Sequence, residues 1–227
     1  MGDYYRENLA AEQLKRCYDI APLRVQRYLD EEVRFVCSRL NPDDWVLELG
    51  CGYGRVLPAL ARCAGRVIGI DNSPGSLRFG MKQLSASPDV YLACMDATRL
   101  AFRDDSFDVV VCIQNGVSAF HVDPRRLFRE AVRVAVPGGL VLFSTYSSTF
   151  WPDRLEWFEL QAAEGLLGEI DHERTGDGVI VCKDGFTATT PTVRDFEANI
   201  KGLDVTCRFE EVDHSSLFCI LKKNPAT

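Results

Sequence analysis

The chain has 227 residues, 46% of them apolar, 26% charged and 10% aromatic, the make-up of a folded protein with one main domain and appendages. Its 26 basic residues against 33 acidic ones leave a net charge of −7, which excludes a broad electrostatic attraction to nucleic acid or anionic lipid. No apolar run approaches the ~18 residues of a membrane span, and residues 1–20 are charged throughout, with no apolar stretch of the secretory kind.

Residues 22–40 place Val25, Tyr28, Leu29, Val36 and Leu40 on one face, against charges at Arg24, Arg27, Asp30, Glu31 and Arg34. This predicts an amphipathic helix packed on a core. After a break at 41–44, short apolar runs at 45–49, 67–70, 90–95, 107–113 and 139–145 alternate with helix-length segments. Most runs are too continuous for a one-sided antiparallel strand. Strands buried on both faces, with helices between them, predict a parallel α/β sheet. The intervening helices include one expected at 55–64 and one that starts at Asp123-Pro124 and stops at Pro137-Gly138-Gly139.

Beyond residue 145 the rhythm changes to a helix at 151–167 and a short strand pair at 179–183 and 186–189. Thr192 and Asp195 then have the spacing of a capping box, and strands at 203–212 and 216–222 form a closing hairpin. A single domain is expected, with a helical cap at 1–40, a core at 41–146, an insertion at 147–202 and the hairpin at 203–227. Nine cysteines with no CxxC pair read as reduced thiols, mostly buried, in a cytoplasmic protein. No metal site is expected, although spacing leaves open a thiol trio that converges in space on a soft metalloid.

The first strand runs directly into Glu48-Leu49-Gly50-Cys51-Gly52-Tyr53-Gly54. Glycines at a strand-to-helix turn let the backbone pass close to a ligand, with free helix-start amides facing the same crevice. A dinucleotide-binding GxGxxG needs Gly where Arg55 stands, and no GxxxxGK[ST] occurs, so hydride-transfer dehydrogenases and P-loop enzymes are disfavoured. The second strand ends in Asp71, 17 residues beyond Gly54, where an acid can accept from a ribose diol. Asp96 and Ala97 follow the third strand, and Gln114 and Asn115 follow the fourth. Polar groups thus sit at the ends of four successive strands, the edge where open α/β sheets bind ligands.

These segments resemble the class I S-adenosylmethionine-dependent methyltransferases, small-molecule type. "VLELGCGYGR" is similar to their first motif, "VIGIDNS" to the second, "CMDATRLAFRDDSFDVVVC" to the third and fourth, and "REAVRVAVPGGLVLFSTY" to the fifth. The resemblance implies a Rossmann-like sheet of seven strands, mostly parallel, with helices on both faces and an antiparallel strand in the C-terminal hairpin. It further implies S-adenosylmethionine as methyl donor and S-adenosylhomocysteine as product. Gly50, Cys51, Gly52 and Gly54 would lie under the methionine moiety, Glu48 would fix its amino group, and Asp71 would hold the ribose, with Asn72 flanking the adenosine. Asp96 and Ala97 would meet the adenine, and Gln114 and Asn115 would line the methyl-donor end. Tyr4, Tyr5 and Tyr18 fall in the segment that closes over the cofactor in similar enzymes.

His121 is the candidate general base, against its reading as a loop residue, and Asp108 reads as the anchor of a strand start. The aromatic cluster Phe150, Trp151, Trp157 and Phe158 reads as core in preference to a substrate platform. No Asn/Asp-Pro-Pro-Tyr follows the fourth strand, which with the acidic charge favours a small-molecule acceptor over nucleic acid, with no membrane partner. Two other classes stay in view. One is a protein or RNA methyltransferase, marked by a basic strip of Arg24, Arg27, Arg125, Arg126 and Arg129 around the cleft; the other is a non-catalytic protein that binds the cofactor or its product.

Overall fold

The computed structural model describes residues 9–120 and 122–225. Tyr4, Tyr5 and His121 therefore lie outside the described residues. Helix α1 (Glu12–Asp19) and the amphipathic α2 (Leu23–Cys37) precede the sheet. Then β1 (Trp45–Leu49), α3 (Leu57–Ala61), β2 (Arg66–Asp71), α4 (Pro74–Gln83), β3 (Val90–Cys94) and β4 (Phe107–Cys112) follow in strict alternation until the fourth strand. A one-turn helix α5 (Gly116–Ala119) and α6 (Pro124–Val134) lead to β5 (Ala135–Tyr146). The chain continues through α7 (Trp151–Ala163), β6 (Ile180–Val181), β7 (Thr187–Ala188) and α8 (Val193–Ile200), and finishes in β8 (Val205–Val212) and β9 (Ser216–Lys223).

The seven-stranded sheet has the order β3-β2-β1-β4-β5-β9-β8. Pairs among β1 to β5 are parallel, and β9 runs antiparallel to both its neighbours. Its strands alternate in the two-residue period of a pleated sheet. Leu47, Val110, Val141 and Phe143 join Leu127, Phe128 and Phe196 on one face. Val46, Val67, Val111 and Leu142 join Val36, Leu57 and Leu77 on the other. The strand order reverses between β1 and β4, and the crevice outside their carboxyl ends is the ligand position of an open α/β sheet.

A third cluster reaches the sheet through Tyr146 at the end of β5. Cys17, Val25 and Tyr28 of the N-terminal helices pack with Phe150, Trp157, Phe158 and Phe186 of the segment after β5. The Trp157 indole donates to the Cys17 carbonyl at 2.8 Å, so α1 is fastened to α7. Arg154 is fully buried beneath them and donates to the Gly178 and Ala188 carbonyls, which pins the β6–β7 ribbon against α7.

Three boundaries differ from the sequence pattern. The helix expected to run to Pro137-Gly138-Gly139 ends at Val134, and β5 already pairs at Ala135. The β4–β5 register then jumps from Phe107↔Ala135 to Val109↔Leu140, so the Pro-Gly-Gly run is a bulge inside the strand. Gly139 is required there, because a Cβ would stand 2.8 Å from the Asp108 carbonyl oxygen. The helix after the glycine turn is only Leu57–Ala61. Helix α7 ends at Ala163, two residues before Gly165 takes the left-handed φ of +69° that commonly ends helices.

Candidate active site

The main cleft lies at the carboxyl ends of β1, β2 and β4, with an empty volume of about 1320 Å³ including its open mouth. Its lining includes a polar set, Glu48, Arg55, Asp71 and Asn72, beside Gly50 and Gly52 of the glycine turn. It also includes an aromatic set, Tyr18, Tyr146, Trp157, Phe158 and Phe186, with the amide of Gln161. Gln114, Asn115, Gly116 and Phe120 line it along the exit from β4.

Gly50, Gly52 and Gly54 all have positive φ, at +74°, +57° and +80°, a backbone that L side chains rarely adopt. The turn is held to the next strand by Gly50 and Cys51, whose amides both donate to the Ile70 carbonyl at 2.9 Å. Asp71 extends the same link. One of its carboxylate oxygens accepts from the Gly52 amide and the other from the Ser73 amide, each at 2.8 Å. The carboxylate at the end of β2 thereby fixes the turn at the end of β1 while it lines the cleft. Above the turn, the Phe120 ring stands over Gly50 and the Leu14 side chain over Gly52.

Three lining side chains have buried polar atoms without a hydrogen-bond partner: Glu48 Oε2, Gln114 Nε2, and Nε and Nη2 of Arg55. Buried polar atoms are nearly always satisfied in folded proteins, so this part of the lining is fitted to a polar ligand. Burial pushes the Glu48 carboxyl up to about 8, against the lowering effect of Arg55. Arg55 was visible in the sequence only as the residue that breaks a dinucleotide motif. Its guanidinium carbon sits 4.5 Å from the centre of the Tyr18 ring, within cation–π range.

The exit from β4 is conformationally unusual. Gln114 and Asn115 both have φ of +58°, a strain that clusters at functional sites. The Gln114 amide is held by Glu32 Oε2 at 2.7 Å and by Ser144 Oγ at 2.8 Å. Glu32 is fully buried, and burial raises its carboxyl to about 7. Sequence reading missed it, although the signal was present: Glu32 falls on the apolar stripe of α2, four residues after Tyr28. The Asn115 amide is engaged at both ends, donating to the Thr189 carbonyl and accepting from Thr145 Oγ1, each at 2.9 Å.

The other sequence candidates fall elsewhere. Asp96 is exposed and outside the cleft lining; its carboxylate accepts from the Thr98 amide and hydroxyl at 2.8 Å. Ala97 is buried in the sheet core, and Gly54 is buried behind the turn. Asp108 accepts from the Trp45 amide at 2.8 Å, anchoring the edge of two strands. Trp157 and Phe158 belong both to the cap core and to the cleft wall, so the alternative of core or platform does not divide them.

None of the five arginines of the basic strip lines the cleft. Arg24 and Arg27 are both spent on the Asp213 carboxylate. Five cysteines are buried, and among the described residues no three of His, Cys, Asp and Glu gather as a metal site. Of the two that line the cleft, burial pushes Cys17 up to about 12 and Cys51 well above the usual thiol range, so neither offers a thiolate at neutral pH. No helix among the described residues is long and apolar enough to cross a membrane.

A sheet of this order, with a glycine turn after β1 and an acid closing β2, defines a class I, Rossmann-like methyltransferase fold. The family model for a methyltransferase domain matches residues 46–139. Over that stretch the chain is similar to methyltransferase domains. It is 35% identical over 136 residues to the ubiquinone biosynthesis O-methyltransferase of Pseudomonas entomophila, covering 59% of this chain and 54% of that protein. It is 32% identical over 164 residues to the malonyl-acyl-carrier-protein O-methyltransferase of Marinomonas sp., covering 67% of this chain and 58% of the relative. The chain thus spans little more than half the length of these curated relatives. Among solved structures, the N-methyltransferase NodS of Bradyrhizobium japonicum in complex with S-adenosylhomocysteine superposes with a TM-score of 0.61 at 17% identity, over 96% of this chain and 95% of that one.

Proposed function

We propose that the chain transfers the methyl group of S-adenosylmethionine to a small, largely apolar acceptor. The observation that carries this reading is the make-up of the cleft. Its lining combines partnerless buried atoms of Glu48 and Gln114 and a positive-φ glycine turn with the rings of Tyr18, Tyr146, Trp157, Phe158 and Phe186. In this reading Gly50, Cys51, Gly52 and Gly54 underlie the methionine moiety, Glu48 takes its ammonium, and Asp71 and Asn72 hold the ribose. Asp96 and Ala97, which the resemblance assigns to the adenine, are not part of the cleft lining.

The sulfonium supplies the electrophilic methyl group. The chain's own residues bind, orient and exclude water, which is the main demand of an in-line displacement. Gln114 and Asn115, held in a strained backbone by Glu32 and Thr189, fix the exit of β4 in the same lining. The aromatic set comes with the amide of Gln161 and the high-titrating phenols of Tyr18 and Tyr146. This suits an uncharged acceptor. His121 adjoins Phe120 in the chain and stays the candidate base for a protic acceptor.

Calorimetric titration with S-adenosylmethionine, S-adenosylhomocysteine and NADH tests the reading. Micromolar binding of both sulfur nucleotides with none of NADH is the expected result. Binding of NADH alone overturns it.

A further inference from the structure

We infer that Glu32 is the counter-charge of the methyl donor: its carboxyl gives up a proton when the sulfonium enters the cleft and takes one back when the methyl group leaves, a role that rests on the methyltransferase reading and adds a charge-balancing residue to it. Glu32 does not line the cleft but stands behind its wall. Its Oε2 accepts from the Gln114 amide at 2.7 Å, and Gln114 lines the cleft where the resemblance places the methyl-donor end. The carboxyl is fully buried, and its other oxygen, Oε1, has no hydrogen-bond partner. The hydroxyls of Tyr28, one turn earlier on α2, and of Ser216, at the start of β9, are likewise buried and unpartnered. One carboxyl oxygen is thus fixed on the cleft wall, while the other can hold a proton, or lose it and accept from a hydroxyl instead.

Opposing influences set the charge of this group. Burial holds the proton on, while the hydroxyls of Ser216 and Ser144, the Gln114 amide and the charge of Arg55 pull it off, and the carboxyl is left at about 7. Arg55 lines the cleft, so a positive charge in the cleft is felt at Glu32. A sulfonium adds a second one and shifts the balance to the carboxylate. The other ionisable groups that feel Glu32 are Tyr28 on its own helix, Tyr146 of β5 and Cys112 of β4, and burial keeps all three neutral at pH 7. Transfer to a protic acceptor breaks the carbon–sulfur bond, leaves its electron pair on sulfur, bonds the methyl group to the acceptor and sets the acceptor's proton free. Glu32 takes up one proton as the sulfonium charge disappears, so the donor and product complexes carry the same net charge and no buried charge is left unpaired. Glu32 touches no reacting atom; it is a positioning residue that acts through the cleft wall.

Proton counting tests this without an acceptor. Calorimetry at pH 7 in buffers of different ionisation enthalpy gives the protons released when S-adenosylmethionine or S-adenosylhomocysteine binds. The two ligands share every ionisable group and differ in the sulfonium. A carboxyl titrating at about 7 is half protonated at that pH, so wild type should release roughly 0.3–0.5 proton more with S-adenosylmethionine. Glu32→Gln, which keeps an oxygen for the Gln114 amide, should lose this excess and bind S-adenosylmethionine about threefold more weakly relative to S-adenosylhomocysteine. The infrared difference between the two wild-type complexes needs no variant: a protonated-carboxyl band should be weaker with S-adenosylmethionine. Equal proton release by wild type, an unchanged carboxyl band, or an excess that survives in Glu32→Gln overturns the assignment while the methyltransferase reading stands. If wild type binds neither ligand, that reading fails and the assignment with it.

Discussion

At the scale of single residues, Asp71 and Glu48 carry opposite kinds of cost. Asp71 accepts from two backbone amides of two segments, so its removal should loosen the glycine turn as well as the proposed ribose site. Asp71→Ala should weaken S-adenosylhomocysteine binding more than tenfold, about 1.4 kcal/mol or more. Unchanged affinity by calorimetry would remove Asp71 from the site. Glu48 is held at a disadvantage: its folded carboxyl titrates near 8 against an ordinary 4.5. Between those values the native state retains a proton that the unfolded chain has released, so stability falls as pH rises across that window and is constant above it. Glu48→Gln abolishes this slope. Its melting temperature should therefore exceed that of wild type at pH 9 by more than at pH 5, while its S-adenosylhomocysteine affinity drops. If melting shows the same offset at both pH values, the carboxylate is not the ionising group.

At the scale of elements, local rules and packing agree in most of the chain. The capping box at α8 is complete: Asp195 Oδ2 accepts from the Thr192 amide at 2.7 Å and Thr192 Oγ1 accepts from the Asp195 amide at 3.3 Å. Thr192→Ala should destabilise the protein by about 1 kcal/mol in urea unfolding without altering ligand affinity, since α8 packs on the far side of the sheet from α2 and α3. The parallel strands, this cap and the closing hairpin were legible because each follows from spacing over a few residues. The bulge at Pro137-Gly138-Gly139 was not, because the same three residues that stop a helix also fit a strand once Ala135 finds Phe107 as its partner. At the site, the glycine turn and Asp71 were legible as adjoining motifs. Glu32 and Arg55 were not, since one needs the burial of α2 and the other the approach of Tyr18 from α1, contacts between segments far apart in the chain.

At the scale of the whole molecule, the cap and the insertion form one body over the cleft, so ligand access and cap stability are coupled. Among the described residues, the polar ties of α1 and its N-cap to the rest of the chain include the Ala11 amide to Ser76 Oγ at 3.1 Å, the ion pair between Arg16 and Glu164, the Trp157 indole to the Cys17 carbonyl at 2.8 Å and Arg55 over the Tyr18 ring. The ion pair is exposed and contributes little, which leaves the indole bond and the burial of Trp157 as the main restraint. Trp157→Phe keeps a ring in the cluster and deletes the donor, leaving the Cys17 carbonyl without its indole partner. A lost hydrogen bond of this kind costs about 1–3 kcal/mol, and because it links α1 to α7 the cost should appear as local opening of α1 in preference to global unfolding. Hydrogen exchange resolved by peptide should show faster exchange across residues 12–19 in Trp157→Phe with the strands of the sheet unchanged, and S-adenosylhomocysteine should restore protection by filling the cleft that Leu14, Cys17 and Tyr18 of the same helix line. Uniformly faster exchange throughout the chain would mean that Trp157 supports the whole fold and that α1 has no opening of its own.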